Sequence, residues 1–142
     1  TYPYRAETMI SHDFFIRHTK EFYDFYFHEM VYEKAMPNPA HIALAKLEAQ
    51  GKLKAVITQN IDGLHQKAGS KEVLELHGSI HRNRCVDCHK FYTLEDILSQ
   101  KDGVPVCPVC GGIIKPEVVL YGESLDMDVM EKLYLILNRQ IP

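Results

Sequence analysis

Four cysteines in two close pairs constrain the fold of this chain more than any other feature. Cys85 and Cys88 form the first pair, and Cys107 and Cys110 form the second. Two residues between thiolates allow a tight turn to aim both sulfurs at one ion. The spacing therefore predicts a tetrahedral four-thiolate metal site that closes a small loop-rich module.

Zinc is the expected metal, because this ribbon-like spacing is typical of structural zinc sites. Iron in a rubredoxin-like site and a redox dithiol are the alternatives. Four protein ligands leave no position for a reactive water, so the ion is expected to be structural. His89 lies next to Cys88 but is not needed as a ligand, and it is expected to be solvent-exposed. Metal-spaced cysteines without a secretory signal indicate a reducing compartment, either the cytosol or the nucleus, and we expect the cytoplasm.

Composition narrows the classes of partner. The chain has 142 residues, 46% of them hydrophobic, which suits one domain or a fragment of one. A net charge of -3, from 16 basic and 19 acidic residues, counts against nucleic acid or an anionic membrane as the main partner. No apolar run approaches the ~20 residues that a membrane span requires. We therefore expect neither membrane association nor direct nucleic-acid binding.

Two helices are predicted in the first third of the chain. The first begins at the N-cap Ser11, runs towards Lys34, and carries more aromatic residues than one buried stripe requires. This excess predicts either a packed core or one wall of an apolar groove. The second helix has Asn38 as N-cap, Pro39 at its first position and Gly51 past its end. Its predicted apolar face, suited to packing on a sheet, consists of Ala40, Ala43, Leu44 and Leu47.

Short apolar runs alternate with these helices. Strands are predicted at 53–58, 73–76 and 116–121, and a helical segment at 64–68. Such alternation indicates an α/β fold with a largely parallel sheet. A further helix is predicted from Asp126 to Lys132, whereas periodicity does not decide the type of the apolar run that follows it.

Polar residues follow two of the predicted strands. Gln59, Asn60 and Asp62 come after the strand that ends at Thr58, and they suit hydrogen bonding to an amide and to sugar hydroxyls. Their sequence is also good turn chemistry. His77 follows the next strand, where an imidazole can act as a general base or simply as a satisfied structural residue. His41, His65 and His81 are interpreted as structural.

These pieces, in this order, resemble the sirtuin family of NAD-dependent protein deacylases. The resemblance covers roughly residues 11–125. The motifs that carry it are Pro37-Asn38-Pro39-Ala40-His41, Thr58-Gln59-Asn60-Ile61-Asp62-Gly63-Leu64-His65, Leu76-His77-Gly78, the four cysteines, and Pro116-Glu117-Val118-Val119-Leu120-Tyr121-Gly122-Glu123.

The resemblance implies a partial Rossmann-type parallel sheet with a smaller domain made of a helical module and the zinc ribbon. Residues 1–36 would form the helical module and 37–82 a Rossmann-type segment. Residues 83–114 would form the zinc-ribbon insertion, and 115–142 would return to the Rossmann-type domain.

The resemblance also implies the roles of individual residues. Gln59, Asn60, Ile61 and Asp62 would line the nicotinamide and ribose pocket of NAD. His77 would be the general base that activates a ribose hydroxyl after the acyl-lysine oxygen displaces nicotinamide, and the acyl group would end on ADP-ribose. An acyl-lysine protein or peptide would be the partner. It would bind along a segment that contains Val119, Tyr121, Gly122 and Glu123.

Missing family segments, a weak likeness near the C-terminus and the absence of one specificity motif lead to further expectations. The Gly-Ala-Gly-x-Ser segment and the later part of the Rossmann domain are absent, so the chain alone is expected to be inactive. Leu133 to Asn138 faintly resembles a later strand of the family. Members that prefer succinyl or malonyl lysine carry Tyr-x-x-Arg, whereas Tyr23 and Tyr26 stand at these positions here. This predicts an acetyl or a longer apolar acyl group.

Two other functional classes account for only part of these sequence features. A zinc-ribbon protein-binding module without catalytic activity explains the cysteines but gives Gln59 to Asp62 and His77 no role. A dehydrogenase would require an intact phosphate-binding loop, which this sequence does not show.

Overall fold

The computed structural model describes residues 2–139. They fall into two compact units. Unit 1 contains the residues up to Tyr32 together with Ile80–Ser124. Unit 2 contains Glu33–Ser79 together with the residues from Leu125 onward.

Helices fill the first part of the described chain, and strands are interspersed with helices after it. The helices are α1 (Ala6–Met9), α2 (His12–Arg17), α3 (Thr19–Phe25), α4 (Pro39–Ala49), α5 (Leu64–Lys67), α6 (Leu94–Leu98) and α7 (Met127–Asn138), with a π-helix at Tyr26–Met30. The strands are β1 (Val56–Thr58), β2 (Val73–Glu75), β3 (Gly78–Cys85), β4 (Phe91–Tyr92) and β5 (Ile114–Val118). Strands β1 and β2 pair in parallel, whereas a second sheet has the order β4-β3-β5. No helix among residues 2–139 is long and apolar enough to cross a membrane.

An aromatic cluster forms the core of unit 1. Phe22, Tyr23 and Tyr26 expose 0%, 1% and 0% of their surface, and Phe15 packs edge-on against Phe22 with ring centroids 5.0 Å apart. Burial raises the pKa of Tyr26, and burial followed by the neighbouring Tyr26 raises the pKa of Tyr23. The aromatic excess is therefore a packed core, and the alternative of a groove wall is wrong for these three side chains.

The first predicted helix begins where expected but is not continuous. The Ser11 hydroxyl accepts from the Phe14 N–H at 3.2 Å, which confirms the N-cap. The backbone leaves helical geometry at His18 (φ -133°, ψ 54°) and resumes in α3. The helical path ends at Met30 rather than near Lys34, because Val31 adopts an extended backbone and buries its side chain.

Helix α4, near the start of unit 2, begins and ends where its capping residues predict. Asn38 caps α4 by accepting from the His41 N–H at 3.0 Å, and the His41 ring accepts in return from the Asn38 N–H. Gly51 has a φ of +73°, a left-handed conformation that ends the helix and that glycine adopts without steric cost.

The prediction that α4 packs an apolar face on a sheet is wrong for most of that face. Ala40 and Ala43 are exposed and Leu47 exposes 38% of its surface, whereas Leu44 is half-buried. The helix packs against α5, and His41 is its buried residue.

Two predicted strands differ from the structure in length or position, and one faint resemblance to a strand is wrong in type. The prediction at 53–58 is realised only at Val56–Thr58, and the one at 116–121 is shifted to Ile114–Val118. Leu133 to Asn138 is not a strand, because α7 continues from Met127 to Asn138. The Asp126 side chain caps this helix by accepting from the N–H groups of Asp128 and Val129.

Candidate functional site

Two backbone turns bring the four cysteines of unit 1 together. In the first, the His89 N–H donates to the carbonyl of Cys85 at 3.0 Å. In the second, the Gly111 N–H donates to the carbonyl of Cys107 at 2.8 Å. His89 and Gly111 follow their cysteine pairs with φ values of 63° and 79°, so each turn closes through a left-handed residue. The two-residue spacing of each pair is thus the length that such a turn requires to bring both sulfurs to one side.

The sulfur positions fit a tetrahedral ion. All four Sγ atoms lie within 4.8 Å of one another. Cys85 and Cys110 are 3.3 Å apart, and Cys88 and Cys107 are 3.7 Å apart, too far for a disulfide. Zinc–sulfur bonds of about 2.3 Å place tetrahedral sulfurs about 3.8 Å from each other. Cys85, Cys88, Cys107 and Cys110 are therefore positioned to bind a zinc ion, as the spacing predicts.

Groups around the sulfurs support this arrangement. The buried Tyr92 hydroxyl lies 2.8 Å from the Cys107 Sγ, and the Gly112 N–H donates to the Cys110 Sγ at 3.4 Å. Burial opposes ionisation of Cys107, but the Tyr92 hydroxyl and nearby N–H groups lower the pKa of Cys107 to about 6. A Cβ at Gly112 would lie 2.8 Å from the Cys85 Sγ, so only glycine fits there. His89 is exposed, as predicted.

The polar loop after β1 and the histidine after β2 leave the parallel sheet at the same edge. Thr58 and Glu75, the last residues of the two strands, are paired in register. The Leu76 N–H then donates to the Thr58 carbonyl at 2.9 Å, which extends this pairing to the residue before His77. The carboxyl ends of adjacent parallel strands are the usual ligand edge of such a sheet.

The loop itself combines exposed amides with a capping carboxylate. Gln59 and Asn60 are exposed, and Ile61 is half-buried. Asp62 is also half-buried, and its Oδ1 accepts from the Leu64 N–H at 3.0 Å at the start of α5. One oxygen of Asp62 therefore performs the turn chemistry that the sequence predicts, whereas the amides of Gln59 and Asn60 point to solvent-accessible surface.

His77 lies in the turn between β2 and β3 and is half-buried. Gly78, which follows it, has a φ of +81°, a left-handed conformation that glycine adopts without steric cost. His41 and His65 occupy a different environment, with their rings 4.7 Å apart and edge to face. Burial and then His41 lower the pKa of His65, which disfavours its charged form.

The segment from Val119 to Glu123 belongs to unit 1, and backbone hydrogen bonds at Tyr121 attach it to the chain around Ser11. The Tyr121 N–H donates to the Ile10 carbonyl at 3.1 Å, and the Tyr121 carbonyl accepts from the His12 N–H at 2.9 Å. The Tyr121 side chain is 60% exposed, Val119 is half-buried, and Gly122 has a φ of +90°. The Glu123 carboxylate lies 2.9 Å from the ring of His12. No sequence signal singled out His12, because 111 residues separate it from Glu123.

Comparison with known proteins identifies the family. The model of the Sir2 family matches residues 3–140. An NAD-dependent protein deacetylase from Clostridium tetani is 62% identical over 127 residues, which are 89% of this chain and 51% of that protein. A structure of Sir2Tm bound to a propionylated peptide is 44% identical with a TM-score of 0.84, over 92% of this chain and 56% of that one. A Sir2 complex with a p53 peptide and NAD+ has the same identity and a TM-score of 0.82, over 93% of this chain and 56% of that one.

The chain spans about half the length of the curated relatives it matches. Within that span, the cysteine cluster, the parallel strand ends and the Tyr121 segment all lie inside the region that the family model matches. The chain belongs to the Sir2 family.

Proposed function

We propose that this chain is part of an NAD-dependent protein lysine deacylase, which transfers an acyl group from lysine to ADP-ribose and releases nicotinamide. The observation that supports the proposal most directly is that the parallel strands β1 and β2 end at paired residues. It gives the amides after Thr58 and the imidazole of His77 a common edge of one parallel sheet.

Gln59, Asn60, Ile61 and Asp62 form the nicotinamide and ribose pocket in this proposal. Exposed amides offer both donors and acceptors, which suits a ligand that carries a carboxamide and sugar hydroxyls. The capping bond of Asp62 fixes the loop where it enters α5, so the neighbouring groups are held in place before a ligand binds. When bound, NAD supplies the ribose carbon that accepts the acyl oxygen as nicotinamide leaves.

His77 is the general base of the proposed reaction. An imidazole changes its charge near neutral pH, so it can take a proton from a ribose hydroxyl and later return it. The turn at Gly78 presents the ring at the strand edge, and partial burial limits competition from bulk water.

The acyl-lysine peptide lies along the segment from Val119 to Glu123, in an extended conformation. The backbone of Tyr121 is already bonded to Ile10 and His12. The peptide therefore uses the remaining backbone groups of the segment, at Val119 and Gly122, and the exposed ring of Tyr121 forms a wall beside it. The zinc ion stabilises the ribbon and takes no part in the reaction, because four cysteines saturate it.

The preferred acyl group in this proposal is acetyl or a longer apolar chain. Tyr26 stands where a family member that reads an acidic acyl group has arginine, and a buried phenol supplies no positive charge. The protein is proposed to work in the cytoplasm, where its four free thiols stay reduced and available to zinc.

The non-catalytic alternative is a protein-binding zinc ribbon. Val86 and Val109, at the tips of the two cysteine turns, expose 43% and 66% of their surface, which would suit a protein contact. This alternative predicts binding by the ribbon without nicotinamide release.

Steady-state nicotinamide release by the full-length protein distinguishes the two. We expect release that depends on an acetylated peptide and that falls by about 10²- to 10⁴-fold in His77→Ala, the range for loss of a general base. His28→Ala is the matched control, because His28 is exposed and its ring bonds to the backbone carbonyl of Asp24. Peptide-independent release, or equal rates in the two variants, would contradict the proposal. Faster turnover of a succinylated than an acetylated peptide would contradict the acyl preference.

A further inference from the structure

The carboxylate of Glu123 is directed into unit 1, where three residues contact it. Its Oε1 accepts from the Leu120 N–H at 3.0 Å and lies 3.2 Å from the Lys115 Nζ. Its Oε2 lies 2.9 Å from the Nδ1 of His12. Burial opposes ionisation, but the bonds from Leu120, His12 and Lys115 hold the pKa of Glu123 below its ordinary value. The carboxylate is therefore an acceptor that links α2, β5 and the turn after β5.

These contacts close a small turn. The Glu123 N–H donates to the Leu120 carbonyl at 2.9 Å, while the side chain of the same residue receives the Leu120 N–H. Gly122 lies inside the turn with a φ of +90°, and a Cβ there would approach the His12 Cβ to 3.9 Å. The turn is consequently fixed from within by Glu123 and lies directly against His12.

His12 holds the segment in two ways. Its N–H donates to the Tyr121 carbonyl at 2.9 Å, and its ring bonds to the Glu123 carboxylate at 2.9 Å. The first bond depends only on the backbone, whereas the second depends on the side chain. The side chains of His12 and Glu123 are 48% and 20% exposed, so the bond is shielded mainly on the carboxylate side.

We propose that the ring of His12 is a positioning residue for substrate binding, which acts through Glu123 to hold the turn from Leu120 to Glu123 in the shape that an extended acyl-lysine peptide requires. This inference rests on the proposed function, in which that segment receives the peptide. It revises the expected role of Glu123, whose side chain supports the binding segment from behind instead of contacting the peptide.

Preorganisation decides which kinetic constant should change. A segment that is ordered before binding costs less conformational entropy when the peptide adds to it. Neither His12 nor Glu123 is assigned to the nicotinamide pocket or to the general base. Loss of the ring contact should therefore raise the KM for the peptide and leave kcat and the KM for NAD unchanged.

Two substitutions at His12 separate the hydrogen bond from the volume of the ring. Asn carries an N–H donor at the δ position, as the Nδ1 of His12 does, whereas Leu carries none. We expect His12→Leu to raise the peptide KM of the full-length protein about three- to tenfold, a range that allows for the partial exposure of the contact. His12→Asn should stay within about twofold of the wild type, since the donor is retained.

A double-mutant cycle tests whether His12 acts through Glu123. Glu123→Gln should raise the peptide KM by at least as much as His12→Leu, because it also weakens the contact with Lys115. If the two residues act as one unit, the double variant should be no worse than Glu123→Gln alone. Additive effects would overturn the proposal, as would an unchanged KM in His12→Leu or an equal loss in His12→Asn.

A direct measurement of peptide binding tests the role of His12 separately from the proposed catalytic activity. The dissociation constant of a fluorescently labelled acetyl-lysine peptide is measured for each variant, with circular dichroism to confirm folding. If the wild-type protein binds the peptide without releasing nicotinamide, the proposed function is refuted. The role of His12 is then judged from the ratio of the peptide dissociation constants of the variants and the wild type. A wild-type protein that does not bind the peptide overturns both.

Discussion

Two neighbouring tyrosines in the core of unit 1 offer a matched test of the structure. The Tyr23 hydroxyl donates to the carbonyl of Ile114, which lies in β5. The Tyr26 hydroxyl is equally buried but has no hydrogen-bonding partner among residues 2–139. Phenylalanine at either position keeps the ring and removes only the hydroxyl. Tyr23→Phe should therefore lower the free energy of unfolding, whereas Tyr26→Phe should not.

The expected magnitudes follow from these environments. Tyr23→Phe removes a buried hydrogen bond and should lower the free energy of unfolding by about 1–2 kcal/mol. Tyr26→Phe removes a polar group that is buried without compensation, so it should be neutral or raise the free energy of unfolding by up to about 1 kcal/mol. The two variants should thus differ by roughly 1–3 kcal/mol, on the order of 3–12 °C in Tm for a chain of this size.

Urea titration followed by circular dichroism at 222 nm measures this difference. The chain contains no tryptophan, so helix content is a more direct signal than intrinsic fluorescence. Zinc should be present at one saturating concentration throughout, because metal binding adds to apparent stability. The wild type and both variants should show equal m-values, since the surface exposed on unfolding is unchanged.

One result would refute this reasoning. If Tyr26→Phe lost as much stability as Tyr23→Phe, the Tyr26 hydroxyl would have a partner in solution and the packing of the aromatic core would be wrong at that point. Such a result would also weaken the proposed acyl preference, which relies on a buried Tyr26.

Two further predictions concern the metal site and pH. Tyr92→Phe removes the hydroxyl next to the Cys107 Sγ and should weaken zinc retention by roughly tenfold or more, measured as metal transfer to a colorimetric chelator; unchanged transfer would contradict a role for this hydroxyl. The N–H groups of Glu72 and Lys71 donate to Glu48 and lower its pKa below the ordinary 4.5, so its stabilising effect is complete above that pH and is lost as the pH falls through the lower folded-state value. Glu48→Gln should therefore flatten the acid side of the stability profile, and a parallel profile in urea titrations from pH 6 to pH 3 would argue against it.

The features that the sequence predicts well are those determined by a few adjacent residues. Asn38 and Gly51 define the ends of α4, and the two cysteine pairs define their own turns. Features that depend on distant neighbours were missed. The break at His18 interrupts a favourable helical pattern, and the contact between His12 and Glu123 joins residues 111 positions apart. Neither is visible to periodicity, which reports only what lies within one element.

The register of β1 and β2 determines whether the polar loop and His77 can contact the same ligand. The motifs place Asn60 and His77 each two residues beyond a strand, but this has chemical value only if the strands are parallel and end together. The pairing of Thr58 with Glu75 supplies both conditions. An antiparallel pair would send the two groups to opposite edges, and each residue of slip would separate them by roughly a further 3.3 Å along the strands. The register, rather than either motif alone, makes a shared ligand edge physically possible.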